Sequence, residues 1–364
     1  MPVPPILGSS VEKIWFALGR EFARRGHQIT HISRQHSSLE REELVEGVRY
    51  IRIPGFDPPR SLARLKWRDL LYSRRVLKIL PESDILVTNT FWLPVLTPPT
   101  KKGRIYVHVA RYPRGQMRFY GKAARLQAVS SVIRDAICNE APKLASKVKV
   151  IPNFVCRSSP ASAGSKREKC ILYVGRMHPE KGVHLLIDAF ANLVSSGCSD
   201  WKLRIVGSWK VSHGGGGEQY YRALRQKSVE IDRFVEWVGP VFDADQLSAH
   251  YQQSSLFVYP SVAGRGEASP LAPLEAMAEG CPPVVSSLAC FRDYIQPGGN
   301  AWVFDEHSQA VGNLGAVLQQ VVRDSAGLEQ AGERAMLTAQ HYSLPNIADR
   351  YLSDFQELMS NESS

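Results

Sequence analysis

Short apolar runs alternate with amphipathic stretches along this chain, and they do so twice. In the first half, residues 28–33, 48–53, 84–88, 104–109, 126–130 and 148–152 read as strands. Val11, Ile14, Trp15, Leu18 and Phe22 recur at helical spacing, and the run closes at Arg24-Arg25-Gly26, basic residues followed by a glycine cap. Residues 157–168, rich in Ser, Ala, Gly and Lys, carry no apolar periodicity and read as a linker. The alternation then restarts, with strands at 170–175, 201–207, 234–239, 255–260 and 283–286. Helices are expected at 183–193, at 220–228 and from about Pro270. Buried strands separated by helices call for a parallel sheet covered on both faces. At 364 residues the chain exceeds the roughly 250–300 at which one core stops growing. The expectation is an α/β protein of two Rossmann-like domains, residues 1–156 and 169–342, facing across a cleft.

A doubly wound domain ordinarily opens on a strand. Here only ten residues precede the first helix, and Pro2, Pro4 and Pro5 make them poor strand formers. The opening strand of the first domain is therefore expected to be missing. The N-terminus has no basic region followed by a long apolar one, so no signal peptide is expected, and no apolar stretch reaches the length of a membrane span. Six cysteines without a Cys-x-x-Cys pair read as reduced thiols. Cytoplasmic residence, peripheral at the inner face of a membrane, fits these features.

Two motifs carry the chemistry. Gly175-Arg-Met-His-Pro-Glu-Lys-Gly182 follows a strand and precedes a helix, and places two cations, Arg176 and Lys181, in one loop. Alone it would be no more than a charged helix cap. Gly266-Glu-Ala-Ser-Pro-Leu-Ala-Pro-Leu-Glu275 adds two carboxylates eight residues apart. In a continuous helix they would point about 80° apart, so a shared site needs one of them outside it. Pro270 suits a first helical turn, leaving Glu267 on the loop, Glu275 in the helix, and backbone N–H groups around residues 269–272 available to anions.

Together these segments resemble glycosyltransferase family 4, also called glycosyl transferases group 1, whose fold is GT-B. The resemblance covers essentially the whole chain, most specifically residues 170–290. It implies a retaining transferase that moves a sugar from a nucleotide-diphosphate donor to a glycan or lipid-linked acceptor. It assigns Arg176 and Lys181 to the donor diphosphate, with weaker support from Gly8 and Ser9, where one of the family's two glycines is absent. Glu267 would contact the donor sugar, beside a loop of Ala268, Ser269, Pro270 and Leu271. Glu275 would hold the ribose, and Gly207, Gly239 and Val241 would line the nucleotide pocket. His108, on a strand, would face the donor sugar as a second catalytic candidate, although a strand histidine is as often a core residue. A final helix over about 343–364 would return to the first domain.

No cofactor is expected, because fixed cations can do the electrostatic work of a metal. No DxD-like pair sits at a strand end. The donor is expected to be UDP-, GDP- or ADP-linked. A nucleotide-sugar epimerase of the same fold, or an inactive scaffold, are the alternatives.

Charge is segregated. The net +10 arises from residues 1–150, with 27 Lys and Arg against 12 Asp and Glu, while the remainder is acidic. Residues 60–78, opening on Arg60 and closing on Lys78, carry seven cations and one acid; Leu62, Leu65, Leu70 and Leu77 run among them as in a basic amphipathic helix. Residues 101–125, from Lys101 to Arg125, carry eight cations and no acid, with Arg111, Arg114, Arg118 and Lys122 at helical spacings. An anionic membrane surface is the favoured partner of this half. No aromatic-interleaved stripe or known motif points to nucleic acid, and none is expected as a partner.

Overall fold

The computed structural model describes residues 2–6, 10–57, 59, 61–98, 103–155 and 167–360. It divides into two compact units, Met1–Phe154 with Leu344–Ser364, and Val155–Ser343. Most of the linker segment, and Gly8 and Ser9, lie outside the described residues. No described helix is long and apolar enough to cross a membrane.

The first unit contains, in order, α1 (Ser10–Arg24), β1 (Ile29–Arg34), β2 (Glu42–Val45), β3 (Val48–Ile53), α2 (Leu62–Ile79) and β4 (Ile85–Thr88). Then come α3 (Leu93–Leu96), β5 (Arg104–Val109), β6 (Arg125–Ala128), α4 (Ser131–Glu140) and β7 (Val148–Val150). Its strands form two sheets, β1-β3-β2 and the all-parallel β4-β5-β6-β7. Among the described residues, none before α1 forms a strand; Val3 is buried with Val48 and Tyr50, and its carbonyl accepts from Arg52 Nε at 2.9 Å. β2 was not legible in the sequence. It is antiparallel to β3, joined through Glu46 and Gly47, both at positive φ as a tight hairpin turn requires, and its Glu42-Glu43 start hides the apolar alternation.

The second unit contains β8 (Glu168–Val174), α5 (Val183–Ser195), β9 (Lys202–Val206), α6 (Gly217–Lys227), β10 (Val235–Gly239) and α7 (Ala244–Gln253). It continues through β11 (Ser254–Tyr259), α8 (Leu271–Ala278), β12 (Pro283–Ser286), β13 (Trp302–Phe304), α9 (Ala310–Val321) and α10 (Ser325–Gln340). Its six strands are parallel in the order β10-β9-β8-β11-β12-β13. The strand order reverses between β8 and β11. In open α/β sheets the crevice beyond the carboxyl ends of strands at that point is where ligands bind.

The last helix, α11 (Leu344–Ser360), belongs to the first unit. Its Ile347, Ala348 and Tyr351 share a core with Ile14, Leu18 and Phe22 of α1 and Tyr106 of β5. Asp354, 1% exposed, accepts Tyr106 Oη at 2.8 Å and pairs with Arg125 Nη2 at 2.7 Å. A carboxylate buried that deeply persists only when paired and hydrogen-bonded. Arg125 is thus part of the core rather than of a cationic surface. The helical reading of residues 111–122 is also corrected. Pro113, Gly115 at φ 92° and Gly121 break any helix, and the segment is a loop with one 3-10 turn, Met117–Phe119.

Candidate active site

The loop leaving β8 starts at Gly175 and crosses to α5. Its conformation is fixed by two glycines. At Gly182, φ is 70° and an added Cβ would lie 1.9 Å from the Pro260 carbonyl oxygen; at Gly207, which follows β9, it would lie 1.8 Å from that of Gly175. Only glycine lets these three strand ends approach so closely. A 3-10 turn over Pro179–Lys181, capped by His178 Nδ1 accepting from the Glu180 N–H, turns Lys181 inward.

Lys181 Nζ meets Glu267 Oε1 at 2.5 Å, with each side chain 6% exposed. The same oxygen accepts Ser261 Oγ at 2.8 Å and Tyr259 Oη at 2.9 Å. Three donors on one buried oxygen fix its orientation. Ser261 is held in turn, its carbonyl accepting Ser286 Oγ at 2.6 Å. Burial, and then the neighbouring Glu267 charge, push the Tyr259 hydroxyl far above its ordinary range, so it stays a donor. Neither Tyr259 nor Ser261 belongs to the two motifs, yet the hydroxyls of both serve Glu267.

Arg176 is half-exposed. Its Nη1 donates to the Gly214 carbonyl at 2.7 Å and its Nη2 reaches Glu180 Oε1 at 3.3 Å. Glu180 Oε1 lies 3.9 Å from Lys181 Nζ, so the two cations are linked through a carboxylate that the motif does not single out. The glycine run 214–217 is the connection into α6, and Gly214 packs on Arg176. Glu267 sits on the loop and Glu275 in α8, with Pro270 as the N-cap residue. Ala268, Ser269 and Leu271 are half-buried around that start. Glu275 Oε2 accepts Tyr251 Oη at 3.0 Å. Gly207 N–H donates to the Gly239 carbonyl at 2.8 Å, and Val241, half-buried, follows β10.

His108 belongs to the first unit. It is 3% exposed, edge-on to Trp15 at 5.4 Å, and its Nδ1 faces Gln127 Oε1. Gln127 Nε2 donates to the Ile151 carbonyl, so Oε1 accepts and Nδ1 carries the proton. Burial pushes the imidazole down to about 4. His108 is therefore neutral, with a lone pair on Nε2.

Among the described residues one group, Asp305, Glu306 and His307 after β13, has ligand atoms close enough for a metal. Consecutive residues of this kind escape a search for spaced ligands. Glu306 Oε2 accepts from Ser287 and Asp305 from His307 and Ser308, so the cluster ties its own loop together and to the end of β12.

Family models match both halves of the chain. The model of "Glycosyl transferases group 1" matches residues 157–337, and that of "Glycosyltransferase Family 4" matches residues 11–158. The chain belongs to the glycosyl transferase group 1 family. A phosphatidyl-myo-inositol mannosyltransferase of Mycobacterium leprae is 33% identical over 161 residues, 43% of the present chain. That match spans 39% of the mannosyltransferase, less than half its length. Two solved structures share the fold. Sucrose-phosphate synthase from Thermosynechococcus elongatus superposes with a TM-score of 0.79 at 18% identity, covering 97% of this chain and 94% of that one. Anabaena HepE in complex with UDP and glucose gives 0.70 at 16% identity, covering 96% of each chain. The GT-B expectation is met.

Proposed function

We propose that this protein transfers a sugar from a nucleotide-diphosphate donor to a glycan or lipid-linked acceptor, with retention and without a metal. The observation that carries the reading is the Lys181–Glu267 pair, beyond the carboxyl ends of β8 and β11 where the strand order reverses. In this reading Arg176 and Lys181 hold the diphosphate and Glu267 the donor sugar, against residues 268–271. Glu275 binds the ribose, and Gly207, Gly239 and Val241 the nucleotide. Gly8 and Ser9 add backbone contacts to phosphate, and His108 offers its Nε2 lone pair as an uncharged second catalytic group.

The bond from the anomeric carbon to the phosphate oxygen breaks as the acceptor oxygen bonds to the same face. The acceptor's proton passes to the departing phosphate oxygen, so no protein base is consumed. Charge gathers on the leaving diphosphate, where the two cations stabilise it. Glu267, already accepting three donors, positions and balances charge rather than abstracting a proton.

HepE was solved with UDP and glucose, which makes UDP-glucose the first donor to test, followed by GDP- and ADP-sugars. At about a hundred times its Kd, a donor that binds only the native state adds about 2.7 kcal/mol. Melting should rise by several degrees with the correct donor and transfer should persist in a chelator. No stabilisation by any nucleotide sugar, or transfer undiminished in Glu267→Gln, overturns the reading. The acceptor is proposed to be met at an anionic membrane surface through residues 60–78 and 101–125.

A further inference from the structure

α2 starts outside the core. Every residue from Leu62 to Trp67 is exposed, and only from Arg68 does the helix settle against its neighbours. Three of those six are large and apolar: Leu62 is 60% exposed, Leu65 41% and Trp67 61%. Phe119, from the loop before β6, is 60% exposed. The start of α2 and the loop bearing Phe119 adjoin at Phe91, and together they form one protruding tip. Phe119 lies 6.2 Å from the Phe91 ring, Lys66 Nζ sits 4.7 Å over that ring, and Trp92 Nε1 donates to the Lys66 carbonyl at 2.8 Å.

The same patch is cationic. Arg64 and Lys66 are exposed at the start of α2, and Arg118 and Lys122 beside Phe119. Its nearby acids do not offset them at the surface. Asp69 turns back to accept the Phe91 and Trp92 N–H groups, each at 3.0 Å, and Glu140 accepts those of Gly115 and Met117 at 2.7 Å. The first turn of α2 contains no acid, so its cations face the positive end of the helix dipole. Water rewards neither the exposed aromatics nor that charge placement. A surface that is apolar beneath and negative above rewards both, and a bilayer interface rich in anionic lipid is one.

We propose that this patch is a membrane-docking tip. Leu62, Leu65, Trp67 and Phe119 enter the boundary between headgroups and acyl chains, while Arg64, Lys66, Arg118 and Lys122 meet lipid phosphates. The inference rests on the membrane attachment proposed above and names the side chains that make it. It replaces two leucines of the sequence reading, since Leu70 and Leu77 are half-buried in the packed part of α2.

The test is co-sedimentation of the full chain with vesicles of phosphatidylcholine alone or mixed with phosphatidylglycerol. Wild type should bind the anionic vesicles only. Leu65→Ser with Trp67→Ser should lower that partitioning at least about tenfold at every salt concentration, through lost apolar burial. Arg64→Gln with Lys66→Gln should instead flatten its dependence on salt. Trp67 emission, taken as the difference between wild type and Trp67→Phe, should shift to the blue on binding. Serine variants that bind like wild type, or binding indifferent to anionic lipid, overturn the proposal. So does single-stranded nucleic acid binding that these substitutions abolish while vesicles are ignored. UDP-sugar stabilisation is read on the same preparations. Its absence with docking intact counts against the transfer reading alone, and its presence without docking counts against the tip alone.

Discussion

Lys181 and Glu267 stand 86 residues apart in the chain, yet meet at 2.5 Å with each side chain 6% exposed. The pair joins the loop after β8 to the loop after β11. It is at once the proposed reactive centre and a structural joint, and the two roles separate by experiment.

Lys181→Ala leaves the Glu267 carboxylate buried with only two hydroxyl donors. Breaking one side of a buried pair costs about 3–5 kcal/mol, so this variant should be clearly less stable, besides inactive. Glu267→Gln removes the charge with its shape kept. The double variant should lose less stability than the sum of the two singles. Urea denaturation of all four proteins measures the coupling, and strict additivity would show that the pair contributes nothing as a pair.

Tyr259→Phe and Ser261→Ala each remove one donor to Glu267 Oε1. Hydrogen bonds to a charged group contribute about 1.5–3 kcal/mol. If that restraint matters at the transition state, kcat should fall about tenfold or more with the donor KM little changed. A rise in KM at constant kcat would place both hydroxyls in ground-state binding instead. Ser261→Thr keeps the hydroxyl and should recover part of the loss.

Gly182→Ala and Gly207→Ala each place a methyl within 2 Å of a backbone carbonyl oxygen, at a positive φ. Either should cost more than the roughly 1 kcal/mol of an ordinary exposed glycine-to-alanine change, because the contact is backbone and cannot rotate away. Thermal melts test this. Gly26→Ala, also at positive φ but with open space around it, is the control expected to be milder.

His108 titrates near 4 when folded, against an ordinary 6.5. Between those values the unfolded chain binds the proton and the folded chain does not, so stability rises with pH across this window. The contribution is complete above about pH 6.5 and lost as pH falls toward 4. Its steepest slope is about 1.4 kcal/mol per pH unit. His108→Gln should flatten that part of the profile in urea titrations between pH 4 and 7. An unchanged profile would show that His108 is not held neutral.

Much of the second unit was legible. The strands β8 to β12, the helix α5 and the loop position of Glu267 ahead of α8 follow from apolar runs, glycines at the ends of β8, β9 and β10, and one proline. In the first unit, β2 was hidden by its two leading glutamates, and residues 111–122 carried cations at helical spacing through a segment that Pro113 and two glycines keep irregular. Charge spacing is a weak signal, since solvated side chains of a loop can share any period.

The sequence by itself determined the two α/β units, the segregation of positive charge and the motifs bearing Arg176, Lys181, Glu267 and Glu275. Those are local properties, set by side-chain periodicity and backbone preference over a few residues. Only the tertiary structure decided that Lys181, Tyr259 and Ser261 converge on one oxygen of Glu267. It also decided that Arg125 is spent on Asp354 and that Leu62, Leu65 and Trp67 stay in solvent while the rest of α2 packs. The convergence on Glu267 depends on the parallel register of β8 with β11, where Ile171 pairs Leu256 and Leu172 pairs Phe257. A strand's own residues carry its tendency to be buried; which distant loop its end will meet is fixed only when the sheet assembles.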